Sequence, residues 1–229
     1  MLTPQRLDDS GARGRAADSY VWYASFGSNM HRARLECYLS GGRPAGGART
    51  YPGCRDARAP MRALPVMLPG VVYFATESPV WTGGCAFYDP AATPGEAPAR
   101  AYLVRRSQFS DIAAQEMHRS PGEDLDLERV EALGRVVIGH GRYETLVCPG
   151  TLDGYPVLTF TSSWAYGDVP GNPPSAAYLR HLAAGLMTGH GWDAERTAAY
   201  LAGCPGAAGL WTPDAVCALI TDGVGAGPR

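Results

Sequence analysis

The sequence predicts an α+β fold, in which a mostly antiparallel, β-barrel-like sheet carries flanking helices. Aromatic and β-branched runs typical of strands recur along the chain as far as Ser163. One amphipathic helix interrupts them, and the segment from Pro173 to Leu219 has a helical pattern. Strands followed by a block of helices are typical of an α+β domain, so we expect the helices to lie at one side of the sheet.

The first half of the chain alternates strand signals with segments rich in glycine and proline. Tyr20–Phe26 predicts a buried strand, and His31–Leu39 predicts a short helix. The stretch 41–60 is a loop by composition. Further strands are predicted, in chain order, over 63–75 with a break at Pro69-Gly70, over 85–89 and over 99–106, the last two joined as a meander.

The second half begins with the amphipathic helix, predicted over Ser107–His118 with the Ser107 hydroxyl as its cap. An acidic segment, 123–134, predicts a shorter helix. Two strand signals then flank Asp153-Gly154, a dipeptide typical of a tight hairpin turn. The helices that follow start near proline and end near glycine, as helix boundaries commonly do.

The chain divides into two parts by composition. Residues 1–19 are polar, lack the apolar stretch of an export signal, and predict a disordered leader. Residues 20–229 predict a single domain with a helical C-terminal part. No run of about 18 apolar residues is present, which argues against a membrane span and favours a cytoplasmic protein.

Charge and residue usage exclude several classes of function. The formal net charge is −2 and the arginines form no basic stripe, so we expect no nucleic-acid or membrane partner. There is no lysine, which removes the usual residue of P-loop, kinase and Schiff-base chemistry. The six cysteines are far apart without a C-x-x-C pair, and the five histidines lack ligand spacing. We therefore expect reduced thiols and no metal site.

The turn Gly27-Ser28-Asn29-Met30 is the first candidate site. A strand that runs through a turn into a helix leaves backbone N–H groups without intrahelical partners, and glycine lets a ligand approach them. Such a turn can bind a carboxylate or phosphate. The plainer interpretation is that Ser28 or Asn29 only caps the following helix. The spacing does not match the G-x-S-x-G elbow of esterases.

Glu116 is the second candidate. It lies beside the apolar stripe of the predicted helix 107–118, at the boundary of the core. Partial burial disfavours the charged form of a carboxylate, which suits a general base that works near neutral pH. The plainer interpretation is a solvated surface glutamate. Glu77, in a predicted loop, is a further candidate base, whereas the acidic run from Glu123 to Glu131 is typical of a solvated helix face.

Both candidates fall in segments that resemble one family. YASFGSNM, Tyr23–Met30, resembles the Y-G-S-N-[LM] signature at the first strand of the γ-glutamylcyclotransferase family. AAQEMHR, around Glu116, occupies the place of the helix that carries the acid/base glutamate of that family. GRYETLVCP is similar to its closing hairpin, with Tyr143 as the leading tyrosine. The resemblance runs from about Tyr20 to Cys204 and departs at Phe26, where the family usually has tyrosine.

The resemblance implies roles for individual residues. It implies that the amides of the turn bind the α-carboxylate of a glutamyl group, with a substrate-binding set of Ser25, Phe26, Gly27, Ser28, Asn29 and Met30. It makes Glu116 the catalytic acid/base and places Tyr143 in the pocket wall. The implied reaction is attack of the α-amine of a γ-glutamyl amide on its own γ-carbonyl, which forms 5-oxoproline and frees an amine without a metal or cofactor.

Three readings of the function stay open at this point. The chain is a γ-glutamylcyclotransferase acting on a small-molecule γ-glutamyl substrate, a binding relative that has lost turnover, or a different amide hydrolase that uses a metal or one of the cysteines. The released amine is an amino acid or dipeptide, a small polyamine, or a biosynthetic intermediate. The sequence gives no indication of the oligomeric state.

Overall fold

The computed structural model describes residues 5–7, 19–44 and 49–224. The strands are β1 Gln5–Arg6, β2 Tyr20–Ser25, β3 Arg62–Pro69, β4 Val71–Ala75, β5 Cys85–Asp89, β6 Glu96–Arg105, β7 Arg135–Val137, β8 Thr145–Leu152 and β9 Tyr155–Thr161. The helices are α1 Arg32–Ser40, α2 Arg106–Glu116, α3 Leu127–Leu133, α4 Ala176–His190, α5 Ala194–Gly203 and α6 Pro213–Val224. A one-turn 3₁₀ helix, Ser28–Met30, lies between β2 and α1.

A seven-stranded sheet forms the centre of the fold, in the order β1-β3-β6-β2-β9-β8-β7. Its strand pairs are antiparallel except β1 with β3 and β2 with β9. A separate pair, β4 with β5, is joined to the end of β9 because Thr161 Oγ1 accepts from the Tyr88 amide at 2.9 Å and donates to the Tyr88 carbonyl at 2.8 Å. The predicted α+β class with a mostly antiparallel sheet is thus confirmed, although over the described residues the sheet is open and β1 and β7 form its edges.

The helices cover both faces of this sheet. Alternate residues of β2 point to opposite sides. Trp22 and Ala24 belong to an apolar cluster that includes residues of α4, α5 and α6, whereas Val21 and Tyr23 belong to a second cluster with residues of α1, α2 and α3. The expectation that all helices lie at one side is therefore wrong, because β2 is apolar on both faces and each face needs a cover.

Several local predictions also need correction. The strands at 85–89 and 99–106 do not form a meander, since β5 pairs with β4 and β6 pairs with β3 and β2. Ser107 does not cap α2: Arg105 is the N-cap residue, and its amide donates to Gln108 Oε1 at 2.9 Å. Of the predicted leader 1–19, Gln5–Arg6 pairs with β3, while residues 1–4 and 8–18 lie outside the described residues. The Asp153-Gly154 hairpin is confirmed by the pairing of Leu152 with Tyr155.

The long loop before β3 is fastened to α2. The Arg55 amide donates to Asp111 Oδ2 at 2.8 Å, and the Arg55 side chain donates to Asp111 Oδ1 at 3.0 Å. Gln115 Oε1 accepts from the Gly53 amide at 3.3 Å, and Gln108 Nε2 donates to the Asp56 carbonyl at 2.9 Å. Gln108, Asp111 and Gln115 are all buried and share one face of the helix. This loop, described except for residues 45–48, is thus part of the packed fold.

None of the helices described is both long and apolar enough to cross a membrane. The six cysteines are free thiols, of which Cys85 and Cys204 are buried and the other four are partly buried.

His190, at the end of α4, is expected to make the stability of the fold depend on pH. Its ring is fully buried, with Nε2 2.8 Å from the Ala99 carbonyl and Nδ1 without a partner among the described residues. Burial lowers its pKa, the hydrogen bond to the Ala99 carbonyl opposes this shift, and the charges of Arg196 and Arg100 lower the pKa further. Because the unfolded state then binds the proton more tightly, the stabilisation is complete above the unfolded pKa of about 6.5 and is lost as the pH falls below it.

Urea unfolding at pH 7.5 and pH 5.5 measures this effect. We expect the free energy of unfolding to fall between the two pH values, and His190→Gln to reduce the difference. Part of the difference will persist in that variant, because burial also lowers the pKa of His31, His118 and His181. An unchanged pH difference in His190→Gln would contradict the prediction.

Candidate active site

A cavity of about 290 Å³ opens where β2 ends. The end of β2 with the turn after it, α1, the end of α2 and the segment before β8 line it, together with residues of the loop before β3, the loop after β4, β5, β9 and α4. All predicted site residues except Met30 are in its wall, namely Ser25, Phe26, Gly27, Ser28, Asn29, Glu116 and Tyr143. Residues nearly 90 positions apart in sequence, Asn29 and Glu116, thus meet in one cavity.

The turn after β2 presents backbone amides that have no partner. Gly27, in extended conformation with φ −104° and ψ −155°, precedes the 3₁₀ helix. The first amides of a helix have no intrahelical acceptor, and among the described residues the amides of Gly27, Ser28 and Asn29 donate to no other group. Neither Ser28 nor Asn29 caps a helix with its side chain, because the N-cap of α1 is His31. The structure therefore does not support the interpretation in which Ser28 or Asn29 only caps the following helix.

Met30 needs correction as a binding residue. Its side chain is 1% exposed and belongs to the apolar core. Its amide donates to the Gly27 carbonyl at 3.0 Å, and its carbonyl accepts from the Tyr102 hydroxyl at 2.8 Å. The last residue of a single 3₁₀ turn closes the i→i+3 hydrogen bond, so its amide is not available to a ligand.

Asn29 connects the turn to Glu116. Asn29 is buried, and its Nδ2 donates to Glu116 Oε1 at 3.1 Å and to the Tyr23 hydroxyl at 3.2 Å. Its Oδ1 is buried without a donor among the described residues. An amide that orients a carboxylate with its nitrogen and keeps its oxygen free can accept a hydrogen bond from a bound ligand.

Glu116 is the last residue of α2 and stands at helical spacing from buried core residues. Phe109, Ile112 and Ala113 are fully buried, and Glu116 follows them on the same face of the helix. Its side chain is partly buried and faces the cavity at the point where the apolar stripe ends. Glu77, by contrast, does not line the cavity, and its carboxylate accepts from the Gly83 amide at 2.7 Å and from Asn172 Nδ2 at 2.9 Å.

Three tyrosines in the cavity wall keep their protons. Burial raises the pKa of Tyr23, Tyr143 and Tyr178, and the negative charge of Glu116 raises all three further. The Tyr143 hydroxyl donates to the Ala86 carbonyl at 3.1 Å. The Tyr178 hydroxyl lies 3.5 Å from the position that a Cβ on Gly27 would take, opposite the turn. The three tyrosines that line the cavity together with Glu116 are therefore neutral.

Sequence reasoning missed Tyr178 and Arg34, which also line the cavity. Arg34 is 4% exposed, and its Nη2 donates to the Tyr51 hydroxyl at 2.6 Å and to the Tyr38 hydroxyl at 3.2 Å. Although burial disfavours its charge, the neighbouring Tyr38, Tyr51 and Glu116 raise its pKa, so it stays a cation. The available signal was helical spacing, because Arg34 precedes the buried Tyr38 by four residues.

The described residues contain no group of three or more histidine, cysteine, aspartate or glutamate side chains that could hold a metal ion. One thiol does lie in the wall of the cavity, since Cys85 lines it and Arg142 Nη1 lies 3.6 Å from its sulfur.

The fold and cavity together define an α+β protein whose central strand ends at a turn with free amides, next to a carboxylate. No family model matches the chain. Its sequence is 33% identical over 198 residues to histone deacetylase 5 of Arabidopsis thaliana, a match that spans 79% of this chain and 30% of that protein. The chain thus covers less than a third of the length of this curated relative.

Two solved structures are similar. The crystal structure of the uncharacterized protein loc79017 from Homo sapiens matches over 88% of this chain and 98% of its own, with a TM-score of 0.48 and 16% sequence identity. A protein named gamma-glutamyl cyclotransferase matches over 89% of this chain and 99% of its own, with a TM-score of 0.44 and 15% identity.

Proposed function

We propose that the protein is a γ-glutamylcyclotransferase, which releases an amine from a γ-glutamyl amide and forms 5-oxoproline. In this reaction the α-nitrogen of the glutamyl group forms a bond to its own γ-carbonyl carbon, and the bond from that carbon to the amide nitrogen breaks. The α-nitrogen loses two protons as ammonium becomes lactam, and the leaving nitrogen gains two. Water is not consumed.

The turn supplies the binding half of this reaction. The amides of Gly27, Ser28 and Asn29 have no partner among the described residues, and free amides at the start of a helix favour a carboxylate. In the proposal they bind the α-carboxylate of the glutamyl group. Fixing the attacking amine against the carbonyl can contribute on the order of 7–11 kcal/mol to lowering the barrier.

Glu116 supplies the proton-transfer half. Its carboxylate is oriented by Asn29 Nδ2 and transfers two protons in turn. It takes the first from the α-ammonium before attack and the second from the same nitrogen after attack, and it passes each to the leaving nitrogen. The free Oδ1 of Asn29 accepts an N–H of the α-amine and so aligns the attacking nitrogen beside Glu116. One positioned acid/base typically contributes about 10²–10⁴-fold to rate.

The observation that carries the proposal is the 3.1 Å hydrogen bond between Asn29 Nδ2 and Glu116 Oε1, because it places a carboxylate directly beside the free amides of the turn. The test is incubation of the protein with a panel of γ-glutamyl amides, followed by mass spectrometry for 5-oxoproline and the free amine in equal amounts. Free glutamate in place of 5-oxoproline would show hydrolysis and would contradict the proposal.

Gly27→Ala is expected to separate substrate binding from folding. A Cβ at Gly27 meets only the Tyr178 hydroxyl, at an ordinary contact distance of 3.5 Å, and φ of −104° suits alanine. In the proposal this methyl group lies beside the bound α-carboxylate, so we expect kcat/KM to fall by about tenfold or more while the melting temperature is unchanged. Steady-state kinetics and thermal melting of the same preparations check this, and normal kcat/KM would show that the ligand does not approach the turn.

A thiol hydrolase is the second candidate, and the position of Cys85 in the cavity wall beside Arg142 is the observation that favours it. It requires loss of activity on thiol blocking and in Cys85→Ser, with release of an acid without ring closure. A cyclotransferase requires neither loss of activity on thiol blocking nor release of an acid without ring closure.

Two further readings give distinct results in the same assays. A deacetylase, as the curated relative is named, or another metal-dependent deacylase would lose activity with a chelator and would again release an acid without 5-oxoproline. A relative that binds without turnover would hold γ-glutamyl amides in isothermal titration and leave them intact.

A further inference from the structure

The cavity holds more positive than negative charge, although the whole chain has a formal net charge of −2. Arg34, Arg49 and Arg142 line it, and within the described part of the chain none of them forms an ion pair with a carboxylate. Of the two carboxylates in the wall, Glu144 is already paired with Arg119 and accepts from the Gly141 amide at 2.8 Å. Glu116 alone remains to balance three guanidinium groups.

Arg34 lies deepest of the three. It is 4% exposed, and its Nε and Nη1 are buried without a hydrogen-bond acceptor among the described residues. A buried cation with free donors is costly unless a partner arrives, because burial removes the water that would solvate it. The planar guanidinium offers its donors in a fork that fits a carboxylate or a similar anion. Because Arg34 also lines the cavity, we take its vacant donors as the inner end of an anion-binding position.

Arg49 and Arg142 stand nearer the solvent. The guanidinium carbons of Arg34 and Arg49 lie 4.5 Å and 5.3 Å from the centre of the same Tyr51 ring, so the two cations are neighbours. Arg142 Nη1 donates to the Glu77 carbonyl, a neutral acceptor. Burial and then the charge of Arg49 lower the pKa of His118, Arg142 lowers it further, and Glu116 acts in the opposite direction. This rim thus repels a further cation and attracts an anion.

The glutamyl part of the substrate does not neutralise these groups. In the proposed function its α-carboxylate is held by the turn, and its α-ammonium offsets the charge of that carboxylate. The unbalanced arginines must then face the amine that leaves.

We infer that the leaving amine is acidic and carries two anionic groups, one bound by Arg34 and the other by Arg49 and Arg142 at the rim. The substrates of this class are γ-glutamyl derivatives of acidic amino compounds, such as γ-glutamyl-aspartate. Polyamine derivatives are rejected, because a cation at this position meets like charge that the protein does not screen. This inference rests on the proposed function and names the substrate class of the same site.

Four substrates that differ in the charge of the leaving group test the inference on the wild-type protein. We expect kcat/KM to fall in the order γ-glutamyl-aspartate, γ-glutamyl-alanine, γ-glutamyl-alaninamide and γ-glutamyl-putrescine, by about fivefold to tenfold at each step. Added salt should narrow the differences, since it screens charges near the surface. Equal or better turnover of the alanine or putrescine compound relative to the aspartate compound would overturn the inference.

Variants that remove a positive charge test which arginines cause the preference for an acidic leaving amine. Arg34→Met is expected to reduce the preference for aspartate over alaninamide by about tenfold, mainly through KM. Arg32→Met is the matched control, because Arg32 lies on the same helix, is 60% exposed in its side chain and pairs with Glu36 outside the cavity. If Arg34→Met does not fold, the double variant Arg49→Met with Arg142→Met provides a second test, because Arg49 is partly exposed and Arg142 is exposed. If the preference for aspartate over alaninamide is unchanged both in Arg34→Met and in the double variant of Arg49 and Arg142, these arginines do not cause it.

Glutaryl amides separate this inference from the proposed function. They keep the carboxylate and the γ-amide but lack the α-amine, so they cannot close the ring. Isothermal titration should show tighter binding of glutaryl-aspartate than of glutaryl-alaninamide. If no γ-glutamyl amide gives 5-oxoproline but this order of binding holds, the proposed function fails and the anion preference stands. If 5-oxoproline forms with a kcat/KM that does not depend on the charge of the leaving amine, the inference fails and the proposed function stands.

Discussion

Replacing Glu116 by glutamine is expected to lower the turnover of γ-glutamyl amides by about 10²–10⁴-fold, the usual contribution of a positioned acid/base. The side-chain amide has the shape of the carboxylate, and its oxygen can still accept from Asn29 Nδ2. It cannot take up a proton from the α-ammonium. Because Glu116 is only partly buried and forms no ion pair among the described residues, the melting temperature should remain within a few degrees of the wild-type value.

The rate of 5-oxoproline formation at saturating substrate measures this effect. Glu128→Gln, on the exposed face of α3, is the control for loss of one carboxylate and should keep full activity. Glu77→Gln tests the other acid considered from the sequence. Normal turnover in Glu116→Gln together with loss in Glu77→Gln would transfer the acid/base role to Glu77.

Asp111→Asn is expected to cost about 3 kcal/mol of unfolding free energy, at the lower end of the range for broken buried ion pairs. The Asp111 side chain is fully buried and accepts from the Arg55 amide, from Arg55 Nε and from the Gly122 amide. Asparagine replaces one acceptor oxygen with a donor that faces these N–H groups. The cost stays near the lower limit because Arg55 is 39% exposed in its side chain and keeps Asp124 as a partner.

Urea unfolding monitored by circular dichroism measures this cost. Asp124→Asn is the matched control, because it removes the second carboxylate from the same arginine in a side chain that is 64% exposed. An exposed pair contributes about 0–1 kcal/mol, so the control should shift the midpoint little. Equal and small losses in the two variants would show that the buried pair does not fasten the loop.

Local elements were predictable because their signals lie within a few residues. The Asp153-Gly154 hairpin and the break of the strand at Pro69-Gly70 follow from turn chemistry alone. Strand partners were not predictable in the same way. The parallel pairing of β2 with β9 and the separation of β5 from β6 depend on contacts between distant segments, which a periodicity does not specify.

The site was partly predictable, because some of its residues stand out within their own segment and others are recognised only by contacts made in the fold. The glycine turn and Glu116 each stand out within their own segment, and the resemblance to one family joined them. Arg34 did not stand out, because a charged residue on a short helix is usually solvated. Its burial becomes clear only when Tyr38 and Tyr51 are brought to it by the fold. Met30 was misjudged because the partner of its amide depends on the shape of the turn.

The attachment of residues 53–58 to α2 joins a segment that does not line the cavity to the helix that ends at Glu116. Gln108, Asp111 and Gln115 hold this stretch on one face of the helix, and the same helix ends at Glu116. A substitution in 53–58 that shifts these hydrogen bonds would therefore change the position of the Glu116 carboxylate relative to Asn29. Under the proposed function, a displacement of about 1 Å can cost about 10²-fold in rate, so turnover would depend on residues outside the cavity wall.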